Sequence, residues 1–264
     1  MEYRISVLMG IYNCAQTLKE ALDSLLAQTY QGFKVIMCDD GSSDNTYEVA
    51  KAYADKYENF ILIKNKKNIK LAATLNRCLQ YADTEYIARM DGDDLSKSLR
   101  FEKEIIFLDE HPEYALVSCS MSHFDEYGIW KKQGKVVEEP TKENLRTGPC
   151  HCHAPVMIRT KVLKEVGGYT AEPKTERLED YYLWYKIYRA GYRGYNLQDS
   201  LYMMRDDKHA VARRKVKDRW RGFILSIEIR KGLGLKYPIL SGSPELLKIL
   251  VPSFITQYIR KHKV

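Results

Sequence analysis

The sequence predicts an α/β protein built on a mostly parallel sheet that is flanked by helices. Short apolar runs alternate with helical patterns through the first hundred residues, which is typical of βαβ units. The chain has 264 residues, of which 45% are hydrophobic, enough for one large packed domain or two small ones. Two acidic turns each follow directly after an apolar run, as expected where parallel strands end at one ligand-binding edge.

The elements follow one another at short spacing. Asp44 and Ser43 are candidate N-caps for the second helix. The first half of the chain predicts strands at about 4–11, 33–38, 59–64 and 85–90, with helices at about 15–27, 44–57 and 69–82. The second half predicts a helix at 98–110, a strand at 114–120, a hairpin and loops at 121–150, a strand at 155–158, a short helix before Gly167, and a helix from about Leu178.

The densest acidic turn is Asp91-Gly92-Asp93-Asp94, which follows the fourth predicted strand. Three carboxylates within four residues repel one another, and a hard divalent cation such as Mg²⁺ or Mn²⁺ is the simplest reason to keep them together. A solvated turn or a helix cap is the alternative for any single cluster of this kind. A second acidic turn, Asp39-Asp40-Gly41 after the second strand, favours the cation, because both strand ends would face one crevice.

Asp180 is the candidate for an acid–base role. It lies four residues before Trp184 in the helix that begins near Leu178, so it shares the apolar, inward stripe of that helix, whereas Glu179 is expected to point elsewhere. An inward carboxylate is costly unless it is paired, bound or in use. The alternative is that Asp180 only places negative charge in the first helical turn, where the helix dipole favours it.

Charge is distributed unevenly along the chain. The net charge is +7, but residues 205–264 carry 15 Lys and Arg against 5 Asp and Glu. No signal peptide and no apolar run of about 18–20 residues is visible, so we expect a cytoplasmic protein with reduced cysteines. The basic end could face phosphates, nucleic acid or an anionic membrane. Residues 245–261 predict an amphipathic helix, either lying on the inner leaflet of the cell membrane or docked on the core or a dimer partner.

Several of these motifs together resemble the family 2 glycosyltransferases of the GT-A fold. The likeness covers roughly residues 3–205, with its motifs in the expected order. It rests on Tyr12-Asn13, Asp39-Asp40-Gly41-Ser42-Ser43-Asp44, Asn68 to Asn76, Asp91-Gly92-Asp93-Asp94 and Glu179-Asp180. The resemblance implies a GT-A domain at 1–210, with a nucleotide-binding half at about 1–110 and an acceptor half at about 111–210. A basic helical extension would follow at 211–264.

The resemblance also implies roles for single residues. A nucleotide sugar would lie over the first two strands, in contact with Gly10 and flanked by Tyr12. Asp40 would accept a hydrogen bond from the ring N–H of the base, which suggests uracil. Asp91 would lie near the ribose and the metal, and Asp93 would bind the Mn²⁺ or Mg²⁺ that bridges the diphosphate. Asp180 would be the general base of an inverting transfer.

The sequence departs from the family pattern at Lys70 and at Arg219-Trp220, and Arg205 leaves alternatives open. Lys70 stands where family members often have glycine, and it is either a solvated residue at a helix start or a phosphate contact. Arg205, followed by His209, Arg213 and Arg214, either closes over the diphosphate or belongs to a solvated charged loop. Only the Arg-Trp of the Gln-x-x-Arg-Trp motif of processive members is present, at Arg219-Trp220, so we expect single-sugar transfer.

The predicted function is transfer of one sugar from a UDP-sugar to a saccharide or a lipid-linked saccharide in surface polysaccharide synthesis. The alternatives are a non-catalytic sugar-nucleotide-binding module and a metal-dependent nucleotidyl or phosphoryl transferase. A nucleotidyl or phosphoryl transferase would need a phosphate-cradling glycine-rich loop, and this sequence has none after its first strand. No nucleic-acid partner is expected, and a homodimer is possible. Cys150-His151-Cys152-His153 suggests zinc, but no second pair of ligands lies nearby in the sequence.

Overall fold

The computed structural model describes residues 2–205 and 216–238. The strands are β1 (Ile5–Ile11), β2 (Phe33–Asp39), β3 (Phe60–Lys64), β4 (Tyr86–Arg89), β5 (Leu95–Ser96), β6 (Leu116–Asp125), β7 (Gly128–Lys132), β8 (Met157–Arg159) and β9 (Gly194–Arg205). The helices are α1 (Ala15–Leu26), α2 (Thr46–Lys56), α3 (Leu71–Leu79), α4 (Arg100–Glu110), α5 (Thr160–Glu165), α6 (Glu179–Arg189) and α7 (Val216–Gly232), with a 3₁₀ helix at Lys142–Thr147.

One sheet contains all nine described strands, in the order β3-β2-β1-β4-β8-β6-β9-β5, and β7 pairs with β6. Strands β1 to β4 are parallel, which confirms the predicted βαβ half. In the second half β8 runs antiparallel to both β4 and β6, while β6 and β9 are parallel. The sheet is therefore mixed, because the antiparallel strand β8 lies between β4 of the parallel half and the β6–β9 pair.

Helices cover both faces of the sheet. Alternate residues of β1 point to opposite sides, so Val7 and Met9 pack with α1, α2 and α4, while Leu8 packs with α3, α6 and α7. Ile11 of β1 pairs with Asp39 of β2, and Leu8 pairs with Arg89 of β4. The carboxyl ends of β1, β2 and β4 therefore meet at one edge of the sheet, which we call the catalytic edge.

Three of the predicted helix starts lie two residues before the observed ones; besides α2 and α3, helix α4 begins at Arg100 rather than 98. Helix α2 begins at Thr46 rather than 44, and its N-cap position is Asn45. Asp44 still caps this turn, because its carboxylate accepts hydrogen bonds from the Thr46 amide at 3.0 Å and hydroxyl at 2.6 Å. Helix α3 begins at Leu71 rather than 69, because Lys70 has φ +74° and cannot continue a right-handed helix.

Helix α7 packs against the second half of the domain. Leu225 and Ile229 are buried there, and the buried Arg230 donates through Nε to the carbonyl of Arg146 in the 3₁₀ helix at 2.8 Å. The described part of the basic extension is therefore a docked helix, and the predicted domain boundary at 210 stays a prediction. The predicted helix at 245–261 lies outside the described residues. None of the helices within 2–205 and 216–238 is long and apolar enough to cross a membrane.

Candidate functional site at the catalytic edge

A cavity of about 530 Å³ opens at the catalytic edge, and we call it the edge cavity. Its volume is within the range of small-molecule sites. It brings together five of the predicted site residues, which come from three strand ends and lie far apart in the sequence. The residues around the cavity are Gly10, Tyr12, Asn13, Cys14, Gln16, Thr17, Asp44, Asp91, Gly92, Asp93 and Arg205.

The turn after β1 is tied to the turn after β2. Asn13 has φ +47°, a left-handed conformation that asparagine tolerates better than most residues. Its Oδ1 accepts from the Ser43 amide at 2.9 Å, and its own amide donates to Ser42 Oγ at 3.0 Å. These bonds hold Tyr12 at the rim of the edge cavity with 48% of the residue exposed, so a planar base can stack on the ring.

The two acids at the end of β2 have different surroundings. Asp40 is buried, and both of its oxygens are used inside the protein: Oδ1 accepts from Asn65 Nδ2 and the Ile69 amide, each at 2.8 Å, and Oδ2 from the Lys70 amide at 3.0 Å. Asp39 is also buried, but its Oδ2 has no hydrogen-bond partner within the described chain, and Lys64 Nζ lies 3.8 Å from it. A buried carboxylate oxygen without a hydrogen bond costs free energy unless a donor group on a ligand bonds to it.

Lys70 has a strained backbone. Its φ of +74° and ψ of 161° belong to a region that is nearly restricted to glycine, which accounts for the glycine that family members often have here. The hydrogen bond from its amide to Asp40 holds this conformation. Its side chain is exposed and lines a second cavity of about 240 Å³, together with Ile69 and Glu179. The structure thus places Lys70 at this second cavity and not among the residues that line the edge cavity.

Asp91, Asp93 and Asp94 form a group that could hold a metal ion, with candidate ligand atoms all within 4.8 Å of one another. Asp94 is buried and accepts from the Arg205 amide at 2.7 Å, so it joins the acidic turn to β9. Asp93 presents its carboxylate to the edge cavity. Desolvation by the surrounding protein, and then the charge of Asp91, raise the pKa of Asp93 to about 6. Three crowded carboxylates offer the oxygen ligands that Mn²⁺ and Mg²⁺ prefer.

Arg89 is a site residue that the sequence analysis missed. It is buried at the end of β4, and its guanidinium binds Asp91 through two hydrogen bonds, Nη1 to Oδ2 at 2.7 Å and Nη2 to Oδ1 at 2.5 Å. The Asp91 amide also donates to the Tyr202 hydroxyl at 3.2 Å. Arg89 could have been identified from its charge inside an apolar strand. It lies two positions before Asp91 and hence on the same face of the strand.

Arg205 is fixed at the rim of the edge cavity. Its Nε donates to the Asp93 carbonyl at 2.9 Å, its Nη2 to Glu20 Oε2 at 2.6 Å, and its guanidinium lies 4.5 Å from the centre of the Phe124 ring. It is the last residue of β9, so it belongs to an ordered strand and not to a charged loop. The other basic residues named with it lie outside the described residues.

Asp180 lies in the first turn of α6, half-buried, and its Oδ1 accepts from the Tyr181 amide at 2.7 Å. Burial raises the pKa of Tyr169, and the negative charges of Asp91 and Asp180 contribute in the same direction. Glu179 lines the second cavity and accepts from the Arg177 amide at 3.0 Å. Burial raises the pKa of Glu179, so this residue is not simply turned to solvent.

Of the two histidines of the Cys150–His153 segment, His151 is buried and His153 is half-buried, and both contact protein groups. His151 contacts Asn196 Oδ1 at 2.7 Å and the Tyr188 hydroxyl at 2.9 Å, and burial lowers its pKa to about 4. His153 contacts the Tyr169 hydroxyl at 3.0 Å. Within the described ranges, the acidic group Asp91, Asp93 and Asp94 is the one cluster with metal-ligand spacing. The zinc interpretation of this segment therefore gains no support.

Comparison with known proteins agrees with this geometry. The model of glycosyl transferase family 2 matches residues 6–167. EpsE of Bacillus subtilis (strain 168), provisionally named a glycosyltransferase, is 43% identical over 213 residues, covering 80% of this chain and 76% of EpsE. WfaP of Escherichia coli, named a UDP-Glc:α-D-GlcNAc-diphosphoundecaprenol β-1,3-glucosyltransferase, is 27% identical over 234 residues, covering 88% of this chain and 87% of WfaP.

Solved structures share the fold. Residues 1–349 of Staphylococcus aureus TarS, in complex with UDP-GlcNAc, superpose with a TM-score of 0.69 at 22% identity, covering 95% of this chain and 72% of that one. The mannosyltransferase PcManGT of Pyrobaculum calidifontis, in complex with GDP-Man and Mn²⁺, gives a TM-score of 0.64 at 18% identity, covering 97% and 79%. The predicted GT-A-type fold is confirmed. Because the family model spans more than half of its length, the chain belongs to glycosyl transferase family 2.

Proposed function

We propose that this glycosyltransferase moves one sugar from a UDP-sugar to a hydroxyl of a saccharide acceptor, with a divalent cation and with inversion at the anomeric carbon. The observation that carries the proposal is the edge cavity. It combines an exposed aromatic ring at Tyr12, an acidic group with metal-ligand spacing at Asp93, and a cationic rim at Arg205. The ring would stack on a nucleotide base, the acidic group would bind the metal of the diphosphate, and the cation would offset the negative charge that remains.

The nucleotide would lie between Tyr12 and the end of β2, in contact with Gly10. The resemblance assigned the base N–H to Asp40, whose oxygens are already used by Asn65 and the segment 69–70. We therefore assign the hydrogen bond to the Asp39–Asp40 pair, with Asp39 Oδ2, which has no hydrogen-bond partner within the described chain, as the accepting atom. Asp40 then shapes the pocket by holding Lys70 in its strained conformation, which leaves the Lys70 ammonium group exposed beside the donor.

Asp93, with Asp91 beside it, would hold Mn²⁺ or Mg²⁺ against the diphosphate. A bound divalent cation neutralises the charge that develops on the leaving diphosphate. Arg89 keeps the Asp91 carboxylate in one orientation through two hydrogen bonds, and in that orientation Asp91 would face the ribose and the metal. Arg205, fixed by Glu20 and the Asp93 carbonyl, adds a positive charge at the same rim.

Asp180 would act from the acceptor side. The acceptor hydroxyl oxygen attacks the anomeric carbon opposite the diphosphate, the bond from that carbon to the diphosphate oxygen breaks, and UDP leaves with the electron pair. Asp180 takes the hydroxyl proton in the same step. A single attack inverts the anomeric carbon and needs no covalent enzyme intermediate.

The acceptor class is inferred from the relatives. WfaP is named for a diphosphoundecaprenol-linked sugar acceptor, and a curated relative from B. subtilis, GgaB, is named for teichoic acid biosynthesis. We infer a lipid-linked saccharide acceptor in surface polysaccharide synthesis, with the enzyme in the cytoplasm at the inner face of the membrane. A homodimer remains a prediction from the sequence.

Nucleotide preference tests the donor assignment. With Mn²⁺ present, UDP should raise the melting temperature of the protein by mass action, and GDP should raise it much less. Asp39→Asn should reduce the UDP shift because the amide replaces one accepting oxygen with a donor. Asp199→Asn, an exposed acid paired with Lys103 outside the edge cavity, is the matched control and should leave the shift unchanged. Equal shifts with UDP and GDP would exclude the uracil assignment.

A further inference from the structure

The hairpin of β6 and β7, residues 116–132, extends from the catalytic edge and carries exposed apolar residues. Tyr127 at its turn is 81% exposed, and Ile129 and Trp130 on β7 are 49% and 42% exposed. Single exposed apolar residues are ordinary on a protein surface, but three large ones within four positions on one narrow hairpin form a patch. Trp130 lies at an irregularity of the pairing, opposite the step from His123 to Phe124.

The topology places this patch beside the edge cavity. Strand β8 runs antiparallel to β4, and β6 runs antiparallel to β8, so β6 and β4 end at the same edge of the sheet. The link is direct at Phe124, whose ring lies under the Arg205 guanidinium at 4.5 Å. A surface that contacts the hairpin turn is therefore held next to the proposed donor and metal site.

The charge along the hairpin changes from its turn to the end of β7. Asp125 and Glu126 precede Tyr127 at the turn, whereas Lys131 and Lys132 follow Trp130 directly and Lys135 lies three residues further on. Across residues 2–205 and 216–238 the structure shows no ion pair to any of these lysines. Asp125 at the turn is engaged, since its Oδ1 accepts from the Tyr127 amide at 2.9 Å. Tyrosine and tryptophan beside lysines is the composition of surfaces that lie in the headgroup region of a bilayer.

We propose that the β6–β7 hairpin docks on an anionic lipid surface, with Tyr127, Ile129 and Trp130 among the headgroups and the lysines near the lipid phosphates. This rests on the proposed function, because a lipid-linked acceptor has to meet the edge cavity at the membrane surface. A second copy of the chain fits less well. The patch is far smaller than the roughly 1,200–2,000 Å² that a stable interface buries, and its lysines would face lysines of the copy.

Flotation of the full chain with vesicles of phosphatidylcholine and phosphatidylglycerol at 7:3 tests the proposal. The double variant Tyr127→Ser and Trp130→Ser should bind about tenfold or more weakly, since two interfacial aromatic rings are lost. Lys131→Gln with Lys132→Gln should weaken binding about fivefold for each lysine and reduce its salt dependence. The matched control is Tyr3→Ser with Tyr81→Ser, also exposed at 38% and 46%, which should bind like the wild type.

Three results would overturn the proposal. They are a wild-type chain that does not float, hairpin variants that float as well as the wild type, and light scattering that shows a dimer which either hairpin variant converts to a monomer. The UDP melting shift measured on the same variants keeps this test separate from the proposed function. That shift should be unchanged, and its absence in the wild type would contradict donor binding without affecting the vesicle result.

Discussion

Replacing Asp180 with asparagine should lower kcat of sugar transfer by about 10²–10⁴-fold, the usual loss when a general base is removed. Asparagine keeps the shape of the side chain and can still accept the hydrogen bond from the Tyr181 amide, so α6 should begin as it does now. The affinity for UDP with Mn²⁺ should change little, because Asp180 lies outside the edge cavity, where we propose that the nucleotide binds. Steady-state kinetics with a saturating acceptor, together with donor titration, separates the two effects.

Glu179→Gln is the matched control for this prediction. The two acids are adjacent, both are half-buried and both lie in the first turn of α6, but Glu179 lines the second cavity beside Lys70. We expect its replacement to cost much less activity than the change at Asp180. If Glu179→Gln is inactive while Asp180→Asn transfers sugar at nearly the normal rate, then Glu179 is the base and the assignment is wrong.

Replacing Asp93 with alanine should abolish the dependence of donor binding on Mn²⁺. Asp93 presents its carboxylate to the edge cavity, whereas Arg89 occupies both oxygens of Asp91 and the Arg205 amide occupies an oxygen of Asp94. Calorimetric titration of UDP with and without Mn²⁺ should show a large affinity gain for the wild type and almost none for the variant. Transfer should fall with it, since the leaving diphosphate loses its neutralising charge.

Asp94→Asn is the control for the metal prediction, because asparagine still accepts the bond from the Arg205 amide and retains the tie to β9. This variant should keep most of the Mn²⁺ dependence. A variant at Asp93 that still needs Mn²⁺ for tight UDP binding, combined with an Asp94→Asn protein that no longer does, would move the ligand assignment from Asp93 to Asp94.

The parallel half of the fold was predictable because its signals are local. Apolar runs and helical periodicity lie within single segments, and the acidic turns follow directly after strands whose ends must meet at one edge. The grouping of Tyr12, Asp91 and Asp93 follows from that topology: the structure places all three around the edge cavity, and their roles stay predictions. The length of β6 and its hairpin was less accessible, because pairing with β9, almost 80 residues later, determines it.

The roles within acidic pairs were not accessible from the sequence. Asp39 and Asp40 are neighbours of the same type, and they differ only through partners at 65, 69 and 70 that occupy one carboxylate and leave an oxygen of the other without a bond. The backbone of Lys70 is set by the same contact, since side-chain type alone does not predict a positive φ at lysine. Tertiary hydrogen bonds of this kind produce no periodic pattern in the sequence.

The nucleotide released during turnover tests the central claim most directly. Incubating the protein with a UDP-sugar, Mn²⁺ and a lipid-linked saccharide fraction should release UDP in a one-to-one ratio with labelled sugar in the lipid product, because the broken bond lies between the sugar and the diphosphate. Asp180→Asn should suppress both together. Release of UMP would indicate transfer of the sugar phosphate, release of sugar 1-phosphate would indicate nucleotidyl transfer, and tight UDP-sugar binding without any release would indicate a binding module; each of these results contradicts the account.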